Sequence, residues 1–206
     1  MKKLFLFVLS FMIVFGLNAQ VRFGVKAGGT MSTVYTKYDG DKNDGFKARL
    51  GFQAGGMMEY QFSESFSLQP ELMYVMNGAK LESVDLGVAK LDNNMTLHNI
   101  QVPINVKFKM GADDLKFYAM AGPYFGYIVS GKVKTKVGDV TSSTDLYDID
   151  ALDMKRFDFG IGVGLGFEIT KFIVGVGYQY GIANLTGIDK LTMRSGTFNL
   201  SVGYFF

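Results

Sequence analysis

The 206-residue chain has no cysteine, no tryptophan, one histidine and three prolines. Without cysteine there is no disulfide scaffold, thiol nucleophile, thiolate-held metal or lipidated N-terminal cysteine. A single imidazole, His98, argues against a histidine-based triad or a multi-histidine zinc centre. Charge is scarce as well, at 19% of residues against about 25% in an average soluble domain. The formal net charge of +2 gives no electrostatic footprint for nucleic acid, so none is expected as a partner. Long apolar runs are absent apart from one, Leu4 to Leu17, broken only by Ser10 and Gly16.

That run follows Lys2 and Lys3 and ends at Asn18-Ala19, the pattern of a secretory signal peptide. It is shorter than the roughly 20 residues a helix needs to cross a bilayer. The expectation is a signal peptide over 1–19, cleavage after Ala19, and a mature domain over 20–206. No later segment has the apolar length of a membrane helix. A membrane-bound mature chain must therefore be a closed barrel.

What the chain has in excess is glycine (26 residues), phenylalanine and tyrosine, arranged in alternation. Leu50, Phe52, Ala54, Met58, Tyr60 and Phe62 share one parity, while Arg49, Gln53, Glu59 and Gln61 share the other. The split recurs at Ile100–Phe108, Phe157–Phe167 and Phe198–Phe206. Period-2 alternation is the signature of a strand with two unlike faces. Eight such segments are read, at 21–34, 48–62, 66–78, 97–110, 115–130, 156–169, 172–185 and 194–206. They match or exceed the 9–11 residues of a tilted membrane strand. Tight turns at 63–65, 111–114 and 170–171 alternate with long polar connections at 35–47, 79–96, 131–155 and 186–193. Short turns on one side and long loops on the other is the asymmetry of outer-membrane barrels.

The tight turns set Phe62 opposite Phe66, Phe108 opposite Phe117 and Ile169 opposite Phe172. All six lie on the apolar parity, as cross-strand partners must, and together suggest an aromatic girdle at one interface. Parity alone does not choose between apolar-out and a lipocalin-like barrel with its apolar face inward. The export signal, the run of glycines on the polar parity (Gly160 to Gly166, Gly175, Gly177) and the terminal Phe206 favour apolar-out. The fold class is thus all-β, an eight-stranded antiparallel up-and-down transmembrane β-barrel in a bacterial outer membrane, reached through the periplasm. Pro70, Pro103 and Pro123 fall inside these strands, where bulges or strand ends are expected.

The polar parity places Arg22, Lys26, Arg49, Glu59, Glu71, Lys107, Arg156, Asp158 and Glu168 in the lumen. Eight strands leave room for little beyond side chains. Ion pairs and trapped water are expected there, filling the lumen rather than forming a selectivity ring. Asp145, Asp148, Asp150 and Asp153 crowd one loop. They lack the spacing of a calcium-binding loop and read as a solvated acidic segment. Lys132, Lys134 and Lys136 read as a strand running beyond the membrane. His98 has Thr96 and Ile100, not serine, two residues away, so no catalytic pair is visible. No cofactor, metal site or enzymatic activity is expected.

IQVPINVKFK (100–109), FYAMAGPYFGYI (117–128), RFDFGIGVGLGFE (156–168) and YQYGIANL (178–185) resemble the PorT-like family of small bacterial outer-membrane barrels. GVKAGGTMS (24–32) and LSVGYFF (200–206) are similar to it too. The resemblance implies a barrel, and the family's founding member is associated with protein secretion across the outer membrane. Phe206 resembles the C-terminal signal read by the barrel insertion machinery. The expected role is structural, binding or secretion-accessory at the cell surface. Expected partners are outer-membrane lipid, the insertion machinery and surface or secretion proteins met through the long loops. A narrow solute channel and a lipid-modifying enzyme are the alternatives.

Overall fold

The computed structural model describes residues 20–38, 41–43, 46–81, 84–85, 90–112, 114–137, 140–146 and 154–206. The signal peptide and Asp148, Asp150 and Asp153 of the acidic loop lie outside these residues. The strands are β1 (Gln20–Tyr38), β2 (Asp41–Asn43), β3 (Phe46–Gln61), β4 (Phe66–Leu81), β5 (Val84–Asp85), β6 (Lys90–Ala112), β7 (Leu115–Val137), β8 (Val140–Asp145), β9 (Phe157–Ile169), β10 (Phe172–Gly181) and β11 (Leu191–Phe205). Eight of them close a ring in the order β1, β3, β4, β6, β7, β9, β10, β11. Each is antiparallel to its neighbours, and β11 returns to β1 from Gly24↔Phe205 to Tyr38↔Leu191. The three short strands β2, β5 and β8 extend the hairpins on the long-loop side. Closure satisfies the backbone of every ring strand, the condition for crossing a bilayer with strands.

The outer wall settles which parity faces out. Leu50 is 76% exposed, Leu72 60%, Phe172 60% and Val163 55%, while Glu59 and Lys107 on the opposite parity are fully buried. A continuous apolar surface of this extent belongs against lipid rather than water. At the short-turn end the rings touch in sequence: Phe62 stacks on Phe66 (centroids 6.5 Å apart), and Phe66 meets Phe108 at 5.0 Å. Phe117 meets Phe167 at 5.7 Å, and Phe172 meets Tyr204 at 5.0 Å. This is the aromatic girdle expected at an interface. A second set lies toward the loops, where Phe52, Tyr74 and His98 adjoin one another and Tyr35 adjoins Tyr180.

Three local expectations are corrected. At the second tight turn the strands run on to Ala112 and Leu115, so Phe108 faces Ala119 and Phe117 faces Met110. The register moves by two, which keeps every residue on its face. The prolines do not create bulges. Each interrupts one ladder without changing its register: Pro70 between Met57↔Glu71 and Tyr60↔Leu68, Pro103 between Pro70↔Ile104 and Met73↔Gln101, Pro123 between Pro103↔Tyr124 and Val106↔Ala121. A missing N–H removes a ladder bond, and the closed ring fixes the register on either side of the gap. True register shifts occur between Ala48 and Gln53 on β3 and between His98 and Asn99 on β6, where Val129 of β7 is the extra residue. Finally, Arg156 is exposed just before β9. It donates to the carbonyls of Ile128 (3.3 Å) and Val129 (3.4 Å) and so does not belong to the lumen.

Candidate functional site

The inward residues are layered. At the short-turn end, Phe205, Tyr118, Met57 and Ile173 pack into an apolar floor. Against this group lies a charge cluster. Glu59 on β3 accepts from Arg22 (3.1 Å), Lys107 (3.0 Å) and Lys109 (2.5 Å), and Glu168 on β9 accepts from Arg22 (2.5 Å) and Lys107 (3.2 Å). The Arg22 guanidinium lies 4.0 Å from the centre of the Phe205 ring, and the Lys107 ammonium lies 4.5 Å from that of Tyr118. The cations therefore have carboxylates on one side and aromatic faces on the other. Glycine makes the room: a methyl at Gly175 would stand 2.1 Å from the Tyr118 hydroxyl, and one at Gly166 2.5 Å from it.

The next layer pairs Lys26 with Glu71, whose other oxygen accepts from Gln69 at 2.7 Å. Above this, Gln53, Gln101, Asn105, Gln179 and Asn199 help line a cavity of about 30 Å³, enough for a water or two. Asp158, Tyr124 and Ser195 form a hydrogen-bonded group in the wall. Arg49 is half-buried nearer the loops, 3.5 Å from the Asn77 carbonyl oxygen. At the loop end the interior turns apolar again. Val34, Ala79, Met95, Leu97, Ile128, Leu146, Leu185 and Met193 are all buried in one cluster.

Of the nine charged residues read into the lumen, Arg22, Lys26, Glu59, Glu71, Lys107 and Glu168 are brought together in ion pairs. Arg49 and Asp158 face inward apart from them, and Arg156 is outside. Two features were missed. Lys109 is buried on the same parity as Lys107, two residues on, and that parity would have found it. The apolar roof consists of residues whose sequence pattern matches that of the outer wall.

A larger concavity, about 630 Å³, lies on the outer wall rather than in the lumen, where Ala119 and Ala121 leave a shallow gap among Val106, Val163, Leu165 and Phe198. His98 sits in the loop-side aromatic set. Its Nδ1 is 2.5 Å from the Tyr74 hydroxyl, and the ladder places Ser130 opposite it. No hydrogen bond joins Ser130 to His98 among the described residues, and the Tyr74 hydroxyl occupies the nitrogen an orienting acid would need.

Residues 15–187 match the outer membrane protein beta-barrel domain. The chain belongs to this outer-membrane β-barrel family. No curated protein matches it. Among solved structures it is similar to outer membrane protein OprG of Pseudomonas aeruginosa, at 14% identity over 90% of this chain and 95% of that one, with a TM-score of 0.50. It is also similar to Ail, the attachment invasion locus protein of Yersinia pestis (19% identity, 91% and 99% covered, TM-score 0.44). A third is the outer membrane enzyme PagL (14% identity, 85% and 98% covered, TM-score 0.45). Likeness at such identities is likeness of fold. The family places this barrel in the bacterial outer membrane. A fold by itself assigns no activity, and function must be argued from the interior and the surface.

Proposed function

We propose that this barrel is a sealed, non-enzymatic outer-membrane protein whose work is done at the cell surface, in a structural, binding or secretion-accessory role. The observation that carries the reading is the double closure of the lumen. Phe205, Tyr118 and the ion-paired cluster fill one end, and the apolar cluster around Leu97 and Ile128 fills the other. The hairpins supply what could act instead. β6 and β7 run 23 residues each. At about 3.4 Å per residue and a tilt near 40°, that is roughly 60 Å, far beyond an apolar band roughly 25 Å tall.

Outer-membrane lipid covers the apolar wall, the insertion machinery reads the C-terminal strand, and surface or secretion proteins meet the long hairpins. The PorT-like resemblance motivates the secretion-accessory version. Planar-bilayer recording of the purified barrel tests the sealed reading, with no steady conductance expected. Steady ion-selective current, abolished by a bulky substitution at Gly162 or Gly164, would replace it with a channel. In a deletion strain, loss of surface-protein export supports the secretion version, and a changed lipid A mass would turn the reading toward an enzyme.

A further inference from the structure

Every buried glutamate in the lumen has a cation: Glu59 and Glu168 share Arg22 and Lys107, and Glu71 has Lys26. Asp158 has none. It is 1% exposed, and among the described residues no lysine or arginine pairs with it. Its Oδ2 accepts from Ser195 Oγ at 2.9 Å and from the Tyr124 hydroxyl at 3.3 Å. The Phe159 N–H lies nearby, yet Oδ1 has no hydrogen-bond partner among the described residues.

The ladders put Gln101, Gly126 and Asp158 in one row across β6, β7 and β9. Gly126 has no side chain, so the two polar groups flank a gap. A methyl there would lie 3.3 Å from Gln101 Cγ and 3.6 Å from Asp158 Cβ. Gln101 is 2% exposed, and its Oε1 also lacks a partner. On the other flank is Gly181, where a methyl would lie 3.2 Å from Asp158 Oδ1. Ser195 fills the Gly181 side, its Oγ 2.4 Å from where that methyl would stand, so the space beside Asp158 lies on the Gly126 side, toward Gln101.

We propose that this notch binds a monovalent inorganic cation, sodium or potassium, through Asp158 and Gln101, with lumen water completing its shell. An unpaired buried carboxylate is costly, and the nearby layers of lysine and arginine are committed to the glutamates. One carboxylate among neutral oxygens suits a single positive charge. Calcium sites draw on six to eight oxygens, several of them from carboxylates. Among the described residues no three His, Cys, Asp or Glu side chains group to hold a metal. The titratable group facing Asp158 is Tyr124; Ser195 and Gln101 are neutral. Taking up a proton is the competing way to neutralise the carboxylate.

The test is the thermal midpoint of the full mature barrel refolded in zwitterionic vesicles, at one pH and ionic strength, in sodium, potassium or choline chloride. The wild type should melt higher in sodium or potassium than in choline. Its unfolding constant should fall about tenfold per tenfold rise in the small cation once above saturation. Asp158→Asn keeps the shape and should lose the dependence. If that variant does not fold, Gln101→Met should shift the dependence to higher cation concentration. Equal wild-type midpoints in choline and in both small cations would overturn the proposal. So would a cation effect that survives Asp158→Asn or, should that variant fail to fold, is unmoved in Gln101→Met.

Discussion

Replacing Glu59 by glutamine tests the charge cluster most directly. The side chain is fully buried and accepts from three cations, Arg22, Lys107 and Lys109, at 2.5 to 3.1 Å. Glu59→Gln keeps the shape but leaves those three cations with Glu168 as their only remaining carboxylate in the cluster. Removing one partner from a buried ionic group costs about 3–5 kcal/mol, because the remaining charges stay desolvated and unpaired. A freely hydrated lumen would screen the same change to about 1 kcal/mol or less. Urea unfolding of the refolded barrel, followed by far-UV circular dichroism, separates the two cases. Glu59→Gln should lower the midpoint by the larger amount. Lys109→Gln in the same background should restore part of it, since it removes one of the stranded cations. A single variant within about 0.5 kcal/mol of wild type, or strictly additive effects in the double variant, would refute the dry-cluster reasoning.

Gly175→Ala should destabilise by about 1–3 kcal/mol by overpacking, because its methyl would stand 2.1 Å from the Tyr118 hydroxyl; denaturant midpoints should show Tyr118→Phe recovering part of the loss. Removing Phe206, 68% exposed and bonded through its N–H to the Phe23 carbonyl at 2.9 Å, should slow insertion, and an unchanged rate of folded-barrel appearance on a heat-shift gel would count against its role. N-terminal sequencing of outer-membrane fractions should begin at Gln20, and recovery in soluble periplasm would contradict the export reading.

The barrel was legible because two unlike solvents, lipid outside and a polar lumen inside, impose opposite chemistry on alternate residues. Ile161, Val163 and Leu165 against Gly160, Gly162 and Gly164 show this in sequence and in burial alike. Strand ends were less legible. β6 begins at Lys90 rather than 97 and β10 stops at Gly181 rather than 185, because past the bilayer no lipid enforces the pattern. The apolar roof was hidden for the related reason that Val34, Leu97 and Ile128 look alike whether they face lipid or one another. Arg156 misled because its parity is correct but its position lies before the strand begins. The pairing partners within the lumen could not be read either, since they depend on which layer each strand's tilt brings level with its neighbours.

The charge cluster draws its members from chain positions far apart. Arg22 belongs to the first strand of the ring and Glu168 to the sixth, and the aromatic ring against Arg22 is that of Phe205 on β11. A sheet lacking β11 would hold Arg22 with no aromatic surface under it and an open side toward water. Phe205 and Phe206 point opposite ways: Phe205 turns in against Arg22 and Lys107, while Phe206 turns out to lipid. Closure of the ring by β11 and completion of the charge cluster are therefore coupled.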